Sequence, residues 1–246
     1  GKMEIVKSDP ENVGKVAIKS LDQQILKQPI KEIKQSVKNA GINFDVWFSE
    51  YKNLHQKKEL QKTLELLKSK GLVAEHDGAT WLKTEGIADD KDRVLIKSDG
   101  KPTYFLADLA YHYDKFIKRK FDIAANIWGA DHHGYVARLK SGVEALGVDP
   151  ERLKIIITQL VRLIENGEEV KMSKRKGEFV TMDELIKEVG KDVARFFFLM
   201  HSPDTHMDFN IALAKERSMN NPVYYAQYAY VRCRSILAKA KISNFK

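Results

Sequence analysis

The sequence predicts an α/β fold built on a parallel sheet, and three observations carry that expectation. Between Asp92 and Asp204, short apolar runs alternate with amphipathic segments: "RVLIK", "FDIAANIWGA" and "LKIIITQLVRL" read as strands, "TYFLADLAYHYDKFIKRK" and "HGYVARLKSGVEALG" as helices. Strand, helix, strand, helix, strand implies right-handed crossovers and parallel pairing. With 246 residues and 43% apolar content, the chain is long enough to bury a real core. Outside this stretch the alternation gives way to helical spacing. The expected organisation is therefore a helix-rich segment with a small hairpin over 1–91, the parallel-sheet region over 92–204, and the truncated start of a helical bundle over 205–246.

Each element has its own local signal. In "YKNLHQKKELQKTLELLKSKGL", Tyr51, Leu54, Leu60, Leu64 and Leu67 recur at threes and fours, and Gly71 stands where a helix stops. Asp77 and Gly78 form a hairpin signal between two β-prone stretches. His55 and His76 read as surface residues. Thr181 and Glu184 make a capping box that opens a helix in "TMDELIKEVG". "RFFFLMHSP" reads as core packing with Arg195 at a surface or domain boundary, and His201 and His206 mark a loop between domains. Pro222 suits a first helical turn, with Val223, Tyr224, Gln227, Val231 and Ile236 as the buried face.

Composition narrows the class of function. There is no run of eighteen apolar residues, and "GKMEIVKSDPENVG" has neither an apolar stretch nor a small-residue cleavage site, so neither a membrane span nor a secretion signal is expected. One cysteine, Cys233, cannot form an internal disulfide and fits a reducing compartment, so the cytoplasm is the expected location. A formal charge of +8 suits a polyanionic partner, although a solvated lysine-rich surface explains it equally well.

Three clusters carry chemistry. "EEVKMSKRKGEF" places Lys171 and Lys174 around Met172 and Ser173, with Gly177 beyond, so that a mobile loop can bring two ammonium groups onto one polyphosphate. Cations that close on a leaving pyrophosphate lower the barrier because its charge develops in the transition state. Neither GxGxxG nor GxxxxGK[ST] occurs, which removes the dinucleotide fingerprint and the P-loop as explanations. Tyr104 and Asp108 are four apart on a predicted helix, so a phenol and a carboxylate share one face and suit a guanidinium; the plainer alternative is a core tyrosine and a surface acid. "WGADHHGY" lies where a strand ends and a helix begins, the crevice where open α/β sheets place ligands. There Gly129 allows close backbone approach, Asp131 can accept from ribose hydroxyls, and His132 and His133 can reach base, ribose or amino acid. Adjacent histidines point apart and no cysteine or third histidine is suitably spaced, so no protein-bound metal is expected. Gln159 reads either as a polar group near the pocket or as scaffold.

"KMSKR", taken with "GADHHGYVARLKSGVEALG", "DDKDRV", "KPTYFLADLAYHYDKF" and "NPVYYAQYA" in that surrounding order, resembles the class I aminoacyl-tRNA synthetases, and among them the arginyl-tRNA synthetases. The resemblance runs from about Gly71 to Ile236. It implies the C-terminal half of a Rossmann-like nucleotide-binding domain and a ligase that joins L-arginine to tRNA(Arg). ATP and Mg²⁺ would enter as a substrate complex, with no tightly bound cofactor, and the intact protein would be a monomer. Lys171, Ser173 and Lys174 would be catalytic, Gly129, Asp131, His132, Met172 and Lys174 would bind ATP, and Tyr104 and Asp108 would line the arginine pocket. Tyr225 and Tyr228 would face tRNA.

The sequence also departs from that family. A His-Ile-Gly-His-type motif has no match, so the expectation is an internal fragment of a longer enzyme, inactive alone. Ala88 stands where glycine is expected, and Asn210 where aspartate is usual. Two rivals remain. Another class I synthetase or a nucleotidylyltransferase would share the basic loop without the acidic pocket. A non-catalytic nucleic-acid-binding module would bind with a steep salt slope and tolerate Lys174→Ala.

Overall fold

The computed structural model describes residues 27–84, 91–170 and 180–240. In chain order, helix α1 (Lys27–Asn39) precedes a π-turn (Tyr51–His55), α2 (Glu59–Ser69), β1 (Val73–His76), β2 (Ala79–Leu82) and β3 (Arg93–Ile96). Then come α3 (Tyr104–Tyr113) with a π-helical extension (Asp114–Lys118), β4 (Ala124–Gly129), a 3-10 turn (Ala130–Tyr135), α4 (Val136–Ala145) and β5 (Leu153–Thr158). The remainder is β6 (Val161–Glu165), β7 (Glu168–Glu169), α5 (Met182–Val189), α6 (Lys191–Leu199), β8 (Met207–Asn210), α7 (Ile211–Lys215) and α8 (Pro222–Lys239). These elements form two compact units, one from Val46–Val161 with His201–Met207, the other from the described parts of Gly1–Asp45, Arg162–Met200 and Asp208–Lys246.

The first unit is organised by the periodicities read above. Leu54, Leu60, Leu64 and Leu67 are all buried, whereas Tyr51 is exposed. The single expected helix is broken, because Lys58 adopts a left-handed φ of 55° between the π-turn and α2. At the other end of α2, Gly71 takes a φ of +70°. Its N–H donates to Lys68 O and that of Leu72 to Leu67 O, which satisfies the last carbonyls of the helix. Asp77 and Gly78, with φ of 53° and 70°, make a turn with both central residues left-handed, and β1 pairs with β2 antiparallel through His76 and Ala79.

Parallel pairing is present between β4 and β5, in register from Ala124 with Leu153 to Gly129 with Thr158, and α4 forms the crossover. The fold class is thus mixed α/β with a parallel sheet. Two details differ from the sequence expectation. "RVLIK" does not open the parallel sheet: β3 pairs antiparallel with β2, Trp81 opposite Val94. An apolar run four residues long reads identically in either kind of sheet, and only the strand it pairs with distinguishes them. "LKIIITQLVRL" is two strands, β5 and β6, in different sheets. It breaks at Gln159, whose N–H donates to Pro203 O at 2.9 Å.

In the second unit, a three-stranded sheet in the order β7, β6, β8 accompanies the helices. Thr181 and Glu184 close the expected capping box, the Thr181 N–H reaching Glu184 Oε2 at 2.7 Å and the Glu184 N–H reaching Thr181 Oγ1 at 3.2 Å. Asp183 accepts from Ser36 and, at 2.8 Å, from Asn39, which ties α5 to α1. Arg195 donates to Ala40 O at 3.0 Å. "RFFFLM" supplies less core than expected: Phe197 is buried against Phe209, but Leu199 is 77% exposed, since successive residues on a helix cannot share one face. Asn210 accepts from Leu213 N–H at 2.9 Å, so it caps α7 as an aspartate would. The buried face expected on α8 is also corrected. Only Val223 is buried, while Val231 and Ile236 are exposed, because periodicity marks a face without supplying what covers it. Ala88 lies outside the described residues.

Candidate active site

Thr103 sets the position of α3. Its hydroxyl donates to Val94 O at 2.9 Å and accepts from Leu106 N–H at 3.4 Å, so the strand end and the first helical turn share one residue. Tyr104 and Asp108 therefore start one turn apart from a fixed point. Both line a cavity of about 1140 Å³ in the first unit. Tyr104 is 89% exposed at its mouth, while Asp108 is partly buried.

Asp108 Oδ2 accepts a 2.6 Å hydrogen bond from the Tyr135 hydroxyl. Burial pushes the Asp108 carboxyl above its ordinary range; the Tyr135 hydrogen bond pulls the other way, the Glu50 charge raises it, and Lys115 and His132 lower it. Burial and the neighbouring carboxylate push the Tyr135 phenol well up, so it remains a donor. Glu50 lines the same cavity and meets His55 Nε2 at 2.9 Å. Two carboxylates and a phenol thus face a space that Lys91, Arg93, Lys97, Lys101 and Arg138 also line; at Asp108 itself the acceptor oxygens suit a planar cation carrying several N–H groups.

Behind Asp108 lies a buried polar chain. His112, 2% exposed, donates from Nδ1 to Asp108 O at 2.7 Å. Its Nε2 accepts from Asn126 Nδ2 at 3.0 Å, and Asn126 Oδ1 accepts from Lys115 Nζ at 3.0 Å. Burial, then the Lys115 charge, pulls His112 down to about 4, so the imidazole is neutral. Burial, then Arg119, pulls the Lys115 ammonium down to about 8.

The turn after β4 places the nucleotide-side candidates. A Cβ on Gly129 would stand 2.7 Å from Asp131 Oδ1, a contact that the exposed Asp131 side chain relieves by rotating, and the φ of −70° is open to any residue, so glycine is accommodated here without being required. Asp131 and His133 are exposed; His132 lines the cavity, its ring 5.9 Å from that of Trp128. Among the described residues no group of three or more His, Cys, Asp or Glu side chains is placed to hold a metal ion. Lys171, Met172, Ser173 and Lys174 lie outside the described residues. Tyr225 and Tyr228 are exposed on α8, in the other unit.

Glu50, Tyr135 and the His112–Asn126–Lys115 chain were not legible as site residues. Glu50 ends the apolar-rich "INFDVWFSE" with nothing to mark it, and Tyr135 closes "WGADHHGY" beside the more conspicuous Asp131, His132 and His133. His112 did carry a signal, four residues after Asp108 in the apolar "LADLAYHY".

Comparison with known proteins gives a consistent assignment. Residues 5–201 match the family described as tRNA synthetases class I (R), catalytic domain. The chain is 50% identical over 230 residues to an arginine--tRNA ligase of Carboxydothermus hydrogenoformans, covering 94% of this chain and 40% of that protein. It is 55% identical over 212 residues to one of Staphylococcus carnosus, covering 86% and 38%. Among solved structures, a putative arginyl-tRNA synthetase of Campylobacter jejuni superposes with a TM-score of 0.78 at 38% identity, over 95% of this chain and 49% of that one. The arginyl-tRNA synthetase of Thermus thermophilus, 18% identical, shares the fold with a TM-score of 0.71 over 97% and 51%. The chain spans about 40% of the length of the curated relatives it matches. By the extent of the family match, the chain belongs to the class I (R) tRNA synthetases, the arginyl-tRNA synthetase family.

Proposed function

We propose that the protein carrying this chain is an arginine--tRNA ligase. The observation that supports it most is Asp108 and Glu50 facing one cavity beside Tyr104, which favours a guanidinium side chain and disfavours an apolar one. The arginine carboxylate would attack the α-phosphate of ATP, forming arginyl-adenylate and releasing Mg²⁺-complexed pyrophosphate. The 3′-terminal ribose of tRNA(Arg) would then take the arginyl group. Mg²⁺ arrives with the nucleotide. Tyr104 and Asp108 hold the amino acid; Gly129, Asp131, His132 and Met172 receive the adenosine side. Lys171, Ser173 and Lys174 neutralise the departing phosphates, Lys174 also binding ATP. Tyr225 and Tyr228 face tRNA.

In this reading residues 92–204 are the second half of the catalytic domain, 1–91 a connecting segment, and 205–246 the start of the anticodon-binding domain. The intact enzyme is a cytoplasmic monomer. None of the helices among the described residues is long and apolar enough to cross a membrane. Without a His-Ile-Gly-His-type motif, the 246-residue chain holds one side of the phosphate clamp and is inactive alone.

The test is tRNA charging by the full-length protein across the standard amino acids, with the 246-residue chain run beside it. Charging with arginine alone, and none by the shorter chain, is the expected result. Charging with another amino acid would overturn the assignment of Tyr104 and Asp108; arginine-dependent pyrophosphate exchange by the shorter chain would overturn its inactivity.

A further inference from the structure

The Tyr135 ring is held by three elements. It meets Phe105 of α3 edge-on at 6.2 Å and Trp128 of β4 at 5.7 Å, and the Arg138 guanidinium of α4 lies 5.1 Å from its centroid. A cation over the ring draws electron density from the phenol and strengthens its O–H as a donor. The 2.6 Å contact to Asp108 Oδ2 is in the range of a charge-assisted O–H···O⁻ bond. A carboxylate held through one oxygen by a rigid donor loses its rotational freedom, which leaves the second oxygen presented in one direction.

We infer that Tyr135 is a positioning residue for amino-acid recognition: its hydroxyl locks Asp108 so that the other carboxylate oxygen meets the guanidinium of the incoming substrate. The inference rests on the reading of Asp108 as the guanidinium acceptor. It adds a second role, because the same hydrogen bond opposes the upward push that burial gives the Asp108 carboxyl. The charged groups facing Asp108 are Glu50 just before the π-turn, Lys115 from the extension of α3 and His132 from the 3-10 turn. Glu50 opposes ionisation of Asp108, while Lys115 and His132 favour it. Removing the hydroxyl therefore raises the Asp108 pKa further, and the acid limb of arginine use moves to higher pH.

Tyr135→Phe in the full-length protein keeps the ring contacts and removes only the O–H. The expected result is an arginine KM raised about ten-fold, the size of effect of losing one hydrogen bond to a charged group, with kcat and the ATP KM little changed. The acid limb of kcat/KM for arginine should shift upward, and the unfolding midpoint should remain near that of the wild type. A purely structural role would lower the midpoint and leave the pH profile alone. If the wild type charges arginine while the variant keeps its arginine KM and acid limb, the positioning role is overturned and the functional reading stands. If the wild type does not charge arginine, both fall together.

Discussion

Helices α3 and α4 meet at Gly142, and replacing that glycine by alanine sets two effects of opposite sign against each other. Gly142→Ala inside a helix would normally stabilise by about 1 kcal/mol, because alanine loses less conformational entropy on folding. Here the added Cβ would fall inside the van der Waals envelope of Leu109 Cδ2 and 3.0 Å from Phe105 Cζ. Leu109 is fully buried and Phe105 nearly so, which leaves neither side chain a free direction in which to move. Overpacking of this kind typically costs about 1–3 kcal/mol, so packing should win and Gly142→Ala should be net destabilising by about 1 kcal/mol. Leu109 and Phe105 directly follow Asp108 and Tyr104, so relief of the clash by moving α3 would also displace the acidic pocket. Urea and thermal unfolding of the 246-residue chain, variant beside wild type, measure the first effect; the midpoint should fall by about 2–4 °C. A variant at least as stable as the wild type would refute the reasoning and show that helix propensity outweighs the α3–α4 contact.

His112 makes stability pH-dependent: its folded pKa of about 4 lies below the ordinary 6.5, so the unfolded chain binds the extra proton first. Stability is full above about 6.5 and falls as pH drops toward 4, by about 3 kcal/mol from this residue; urea titrations should show His112→Gln flattening that slope, and an unchanged slope would contradict it. Glu50→Gln in the full-length protein should raise the arginine KM roughly ten-fold while sparing the ATP KM, by loss of one charge-assisted contact; equal arginine kinetics in variant and wild type would remove Glu50 from the pocket. Thr181→Ala should cost about 1 kcal/mol of stability through loss of the capping box, read as a lower urea midpoint, and no shift would mean that α5 is held by its Asp183 contacts instead.

What was legible in the sequence was local. Asp77 and Gly78 demand positive φ, Thr181 and Glu184 satisfy each other within one turn, and the spacing of Leu60, Leu64 and Leu67 fixes the face α2 buries. What was not legible depends on distant partners. β3 has the pattern of a parallel strand, yet its neighbour is the hairpin strand β2. Val231 and Ile236 have the period of a buried stripe without burial. The Tyr135–Asp108 bond joins residues 27 apart, one a candidate from the sequence and the other not singled out there. Spacing identifies pairs on one helix, such as Tyr104 and Asp108, and is blind to a donor arriving from the turn after the next strand.

The cavity is lined by cations as well, Lys91, Arg93, Lys97, Lys101 and Arg138, so its fitness for a cationic ligand rests on the surroundings of Asp108 rather than on the lining as a whole. Lys115 donates to Asn126 and lies 4.3 Å over the Tyr111 ring. Lys101 pairs with Asp99 at 2.9 Å, Arg119 with Asp114 at 2.7 Å, and Arg138 stacks on Tyr135. The residue directly behind Asp108 is a neutral imidazole rather than an ammonium. A lysine aimed at Asp108 from within the fold would have formed an internal ion pair, and an incoming guanidinium would then have had to break it. A phenol does the opposite: it orients the carboxylate without neutralising it. The second Asp108 oxygen is thereby presented to a ligand, which is the condition under which an acidic pocket discriminates a cationic amino acid from an apolar one.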